Sequence, residues 1–259
     1  RVAALRTDAL REVHSARGPG GVVELADLGD AHYVVGYLYA GRVLEKQAVD
    51  GAIRAALRTE RSNMVNTRRL LISGLINGCS DPLEREALLD RLSAELAEED
   101  FVRVLLSAPF QRATWLRVDA LREQAQRTYW TTVFPDWVRE DVEEAAEAID
   151  RLIAAKRPRA AFQSAHYNLE RYDPELLFRL MTAIAKDSEE AEGQFRLDQH
   201  YIEEAFERIN DSTALTLDQK AGLEYLYIDA LAKPRVRGGK YGIPNLARYV
   251  AAHPELYVQ

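Results

Sequence analysis

From Asp136 to Lys156 the apolar residues Val138, Val142, Ala145, Ile149, Leu152 and Ile153 recur three or four positions apart. Only a helical backbone puts such positions on one face, so the spacing predicts an amphipathic helix of about five turns with an acidic outer side. Further stripes of the same kind follow: Leu176, Leu177, Leu180, Met181, Ile184; then Leu197, Tyr201, Ile202, Ala205, Phe206, Ile209; then Leu223, Leu226, Tyr227, Ala230, Leu231. Upstream, Val49, Ile53, Ala56, Leu57 and Leu88, Leu89, Leu92, Leu96 carry it as well. The expected fold class is therefore all-α.

The predicted helix starts have chemical reasons. Asp81-Pro82-Leu83-Glu84 offers a carboxylate to free backbone N–H groups, a proline where no N–H is needed, and a glutamate at the third helical position. Asp173-Pro174-Glu175 repeats the cap and the proline, and Thr216-Leu217-Asp218-Gln219 reads as a capping box. With 14 Gly and 9 Pro in 259 residues, the breakers fall between the periodic segments. Val22 to Arg42 fits least well, because Tyr33-Val34-Val35-Gly36-Tyr37-Leu38-Tyr39 would suit a strand. No other strands are available to complete a sheet, so short helices are expected there too.

Asp136, Asp173 and Thr216 open three helices 37 and 43 residues apart, with second helices expected near Pro158, Phe195 and Pro244. A period of roughly 35 to 47 residues is that of two-helix solenoid repeats, in which each pair buries its apolar face on the next. Tetratricopeptide and ankyrin signatures are absent, so the expectation is irregular HEAT-like pairing in an α-solenoid or an elongated bundle. Tyr129-Trp130-Thr131-Thr132-Val133-Phe134-Pro135-Asp136-Trp137 reads as a packed joint. It divides an expected N-terminal unit, 1–135, from a C-terminal unit of three helix pairs, 136–259.

Composition narrows the function. Apolar residues at 47% and charged residues at 29% describe a globular chain, and no apolar run approaches the roughly 20 residues of a membrane span. No membrane association is expected, and the setting read from this is cytoplasmic. A single cysteine, Cys79, excludes an internal disulfide and a cysteine-based zinc site. The net charge of -7 disfavours nonspecific nucleic-acid binding. Among the basic residues 28 are Arg and 6 are Lys, which with abundant Ala suggests a GC-rich bacterial source. A first residue that is Arg and an apolar end at Leu256-Tyr257-Val258 suggest a piece of a longer protein.

In the second half, Arg157-Pro158-Arg159-Ala160-Ala161-Phe162 follows a helix, Asp173-Pro174-Glu175-Leu176-Leu177 opens the next, and Gly222-Leu223-Glu224-Tyr225-Leu226-Tyr227 lies in another. Asn245-Leu246-Ala247-Arg248 and His253-Pro254-Glu255-Leu256-Tyr257 close the order. This succession, over roughly residues 130 to 259, resembles the C-terminal helical-repeat region of large bacterial proteins similar to STAND-type NTPases of antiphage defence. The resemblance implies that catalytic and nucleotide-binding modules lie upstream and that the repeats act as sensor or scaffold.

Motifs for chemistry are sparse. No phosphate loop, nucleophile elbow or HExxH zinc helix occurs, Gly18-Pro19-Gly20-Gly21 reads as a turn, and no cofactor or metal is expected. Arg159 and His166 have the spacing of a HEPN-type ribonuclease motif, in which the histidine handles protons and the arginine steadies phosphate charge. Asp198, His200 and Glu204 could share a helix face but read as a solvated surface, and Cys79 reads as a small core residue.

Charge is segregated. Asp136 to Asp150 carries a net -6 followed by Arg151, Lys156, Arg157 and Arg159, a polarity that suits the helix dipole. From Lys233 to Arg248 stand Lys233, Arg235, Arg237, Lys240 and Arg248 with no acidic residue, a local +5. These five are the candidate binding residues. The expected function is a noncatalytic helical scaffold or sensor that binds a protein partner or another part of its parent chain, with the Arg159–His166 nuclease as the alternative.

Overall fold

The computed structural model describes residues 2–26, 31–45, 48–58, 65–135, 141–187, 199–231 and 244–253. Every regular element among them is helical. None of these helices is long and apolar enough to cross a membrane. The chain forms two compact units, Arg1–Thr132 and Val133–Gln259.

The first unit holds α1 (Val2–Ala26), α2 (His32–Arg42), α3 (Val49–Arg58), α4 (Val65–Gly78), α5 (Pro82–Glu95), α6 (Glu98–Leu105), α7 (Arg112–Asp119) and α8 (Glu123–Thr132). Gly18-Pro19, expected as a turn, is instead a kink within α1. Gly18 adopts a left-handed φ of 64°, which its missing Cβ permits, and Pro19 restarts the helix where no N–H is required. The strand-like residues Tyr33 to Tyr39 are helical because α2 lies backbone against backbone on α4. Gly36 sits on Leu71, Gly74 and Leu75, while Gly41 sits on Gly78, so the two helices run parallel along a glycine seam. Val49, Ile53, Ala56, Leu71, Leu75, Ile76, Leu88, Leu89 and Leu92 fill the surrounding core. Each buried Val, Leu or Ile among them contributes about 1.5–3 kcal/mol by leaving water.

Asp81 accepts the Leu83 N–H at 2.9 Å with Pro82 at the first helical position, as its sequence predicts. At the other end of this unit Phe110, Trp115, Tyr129 and Trp130 form an edge-to-face cluster, with ring centres 4.9 Å apart for Phe110–Trp115 and 5.2 Å for Tyr129–Trp130. Tyr129 and Trp130, expected in a joint, are buried within this unit's own core, and Phe134 is exposed. Trp137 lies outside the described residues.

The second unit holds α9 (Val142–Ala154), α10 (Pro158–Ala165), a 3-10 turn (His166–Arg171), α11 (Pro174–Lys186), α12 (Gln199–Asp211), α13 (Leu217–Leu231) and α14 (Pro244–Ala252). Asp141 caps α9 by accepting the N–H groups of Glu143 and Glu144. The start expected at Asp136 lies outside the described residues, as does Phe195. Past its end, Lys156 occupies the left-handed position at φ 59°. Its N–H reaches the Ile153 carbonyl and that of Arg157 reaches Leu152, the double closure that usually employs glycine. Pro158 then opens α10.

α9 packs on α10, α13 packs on α14, and α11 is in contact with α10, α12 and α13. The inward stripe of α11 is Leu176, Leu177, Leu180, Met181 and Ile184, and that of α12 includes Ile202, Ala205, Phe206 and Ile209, all buried. Buried Arg157 donates from Nη1 to the Val133 carbonyl at 2.6 Å.

Candidate functional site

Four of the five candidate binding residues, Lys233, Arg235, Arg237 and Lys240, lie outside the described residues. Arg248 is exposed on α14. The described structure therefore defines the frame of this basic segment: α13 before it and α14 after it.

That frame starts from a reciprocal cap. The Thr216 N–H donates to Gln219 Oε1 at 2.8 Å and the Gln219 N–H to Thr216 Oγ1 at 3.2 Å, the capping box read from sequence. One turn on, Lys220 Nζ donates to the carbonyls of Asn210 (2.7 Å) and Ser212 (2.6 Å), closing the end of α12. Lysine there satisfies carbonyls that have no helical partner and faces the negative end of the helix dipole.

Glu224 follows on α13 and is 1% exposed. A carboxylate at that depth must be matched by donors. It has three. Asn245 Nδ2 donates to Oε1 at 2.8 Å, the Asn245 N–H donates to the same oxygen at 3.3 Å, and the Leu246 N–H donates to Oε2 at 2.6 Å. Asn245 Nδ2 also reaches Asn210 Oδ1 at 2.5 Å, so one amide ties α12, α13 and α14 together. Residue 243, before α14 in sequence, is Ile, whose side chain carries no acceptor for the helix's free N–H groups. Glu224 supplies that acceptor from another helix. Sequence reasoning missed it; the available signal was an acid set between Leu223 and Tyr227 in an inward stripe.

On the outside of α13, Tyr225 and Ile228 stand three residues apart and exposed, Tyr225 by 64%. With Arg248 they give this helix pair apolar and cationic side chains in water.

The other candidates are placed as follows. His166 begins the 3-10 turn and is 6% exposed. Its Nδ1 lies 2.8 Å from the Gln163 carbonyl, to which the N–H form donates, and its ring packs against Phe162, Tyr167 and Tyr201. Arg159 Nε stands 3.8 Å from Asp187. Nuclease chemistry would need the two side chains to meet in one open cleft, and the imidazole lies buried among these rings. His200 is exposed, Glu204 is half-buried and Asp198 lies outside the described residues. Among the described residues no three His, Cys, Asp or Glu side chains gather as metal ligands. Cys79, expected in the core, is half-exposed at the end of α4, with Sγ 3.8 Å from the Leu75 carbonyl.

A different polar pair sits in the first unit. His14 Nδ1 and the Tyr39 hydroxyl are 2.5 Å apart, joining α1 to α2, and burial pushes the Tyr39 phenol up to about 12. No protein-family model, curated protein or solved structure matches this chain.

Proposed function

We propose that this chain is a noncatalytic helical-repeat scaffold or sensor module of a larger bacterial protein, and that it docks an acidic surface of a protein partner or of its own parent chain. The observation that carries the reading is the α13–α14 pair: exposed Tyr225, Ile228 and Arg248 on helices that flank a segment holding Lys233, Arg235, Arg237 and Lys240 without an acid. An apolar anchor beside a cationic run is suited to an acidic amphipathic surface, with charge steering the encounter and the aromatic ring supplying contact area. The solenoid form is part of this proposal and rests on the spacing of helix starts in the sequence; such a form offers extended surfaces for binding. Membership in a STAND-like defence protein, with its enzymatic modules upstream, belongs to this proposal and rests on the sequence resemblance alone.

The test is charge reversal. The variant R235E/R237E/K240E is compared with the parent in affinity capture from its own cell, alongside the melting temperature and a salt series. Lost capture with unchanged melting, and wild-type capture that weakens as salt rises, support docking. Unchanged capture sinks it. A large drop in melting would mean that the segment pairs with the protein's own acidic helix.

A further inference from the structure

We propose that the outer face of the α2–α4 pair is a self-docking surface, on which a second copy of this chain seats through a two-fold contact. The face follows from the glycine seam. Gly36, Gly74 and Gly78 let the two backbones touch, so the side chains that flank the seam join into one surface instead of two separate ridges. The backbones of Tyr33 and Tyr37 lie against Gly74, and their rings stack with centres 6.2 Å apart. Leu70 precedes Gly74 by one helical turn and shares its side of α4. Tyr33, Val34, Tyr37 and Leu70 are each between 37% and 48% exposed. Asn77, two turns after Leu70, marks the edge. Its Nδ2 donates to Ser73 Oγ at 3.3 Å, and Arg85 Nη1 stands 3.5 Å from its Oδ1, so these polar groups have partners within the chain.

Charge decides the occupant. Neither helix contains an aspartate or a glutamate, although the chain has 41 acidic residues. The arginines of the pair point elsewhere: Arg69 and Arg68, one and two residues before Leu70, lie about 100° and 200° round α4, and Arg42, five residues after Tyr37, lies about 140° round α2. An apolar face without charge of either sign offers nothing to steer an acidic or a basic partner. A two-fold contact brings a surface against itself, and this one meets its copy with aromatic and aliphatic side chains and no opposed like charges. Two chains of net -7 repel one another, and an acid-free face is where they approach at least cost. The basic segment 233–248 has no part in this contact, so the proposal goes beyond the docking reading above and does not depend on it.

Sedimentation equilibrium of the full chain, from about 1 μM to about 1 mM, tests the contact. The expected result is a monomer–dimer equilibrium that tightens as salt rises, because salt screens the repulsion between copies, whereas docking by the basic segment weakens. Tyr37→Glu should weaken the dimer at least about tenfold, and by more at low salt, since two added acids then face each other. Leu70→Ser adds no charge and should weaken it by a smaller factor. An unchanged melting temperature at low protein concentration shows that each variant is folded, and the serine variant carries the test where the glutamate variant is not. A monomer throughout the range overturns the proposal and leaves the face to a different protein. So does a dimer that neither substitution weakens, which would place the contact on another surface.

Discussion

Gly36 of α2 and Gly74 of α4 face one another so closely that a methyl group on either would fall on the partner's backbone. At Gly36 it would overlap the Leu71 carbonyl oxygen and stand 2.8 Å from the Leu75 nitrogen; at Gly74 it would overlap the Tyr33 carbonyl oxygen. Helices ordinarily keep 8–10 Å between axes because side chains separate them. Removing the side chains lets the two backbones approach, and parallel helices so joined need the intervening α3 to carry the chain back.

Alanine at Gly36 or Gly74 should therefore force α2 and α4 apart and cost about 1–3 kcal/mol, read as a shift in denaturation midpoint. Gly222, exposed in α13, is the opposite case: a Cβ there meets nothing within 4 Å. Gly222→Ala should stabilise by about 0.5–1 kcal/mol through helix propensity. Equal effects at the two kinds of site would refute the seam.

Leu180 and Phe206 are both fully buried, in α11 and α12. Either residue replaced by alanine should lose about 2–5 kcal/mol through lost burial and the cavity left behind. A change below about 0.5 kcal/mol in equilibrium unfolding would show those faces to be misplaced.

Lys156 spends its left-handed φ of 59° closing α9, a conformation that costs an L-residue about 1–2 kcal/mol. Lys156→Gly should raise stability by up to about 1 kcal/mol while leaving the two closing hydrogen bonds in place. A lower melting temperature for this variant would contradict it.

Tyr39 sets an alkaline limit. Burial raises its phenol to about 12, so between pH 10 and 12 the folded state keeps a proton that the unfolded state has released. Its contribution is whole below pH 10 and is lost as pH rises toward 12. Denaturant unfolding across this range should show falling stability for wild type and a shallower fall for Tyr39→Phe. That variant should also lose about 0.5–1.5 kcal/mol near neutral pH with the His14 bond.

Helix positions were legible in sequence wherever a stripe and a cap coincided, as at Asp81, Asp173 and Thr216, because both signals are local. α2 was legible only by elimination. Its tyrosines and valines favour strands, and what makes them helical is a glycine register with α4 that no single segment reveals. The end of α9 was marked by Pro158, while the residue that turns the chain, Lys156, carries no glycine to announce it. Glu224 stood in an inward stripe as a charge out of place, but its donors come from Asn245 and Leu246, twenty-one and twenty-two residues on. The basic run was visible as composition, which says nothing about the helices that frame it.

The aromatic cluster of the first unit also partitions the chain's optical signal. Trp115 and Trp130, two of three tryptophans, lie with ring centres 6.0 Å apart in surroundings closed to water. The third, Trp137, belongs to the second unit's stretch of chain. With Trp137 replaced by phenylalanine, all indole emission originates from the first unit, so fluorescence reports that half alone while circular dichroism sums the helices of both.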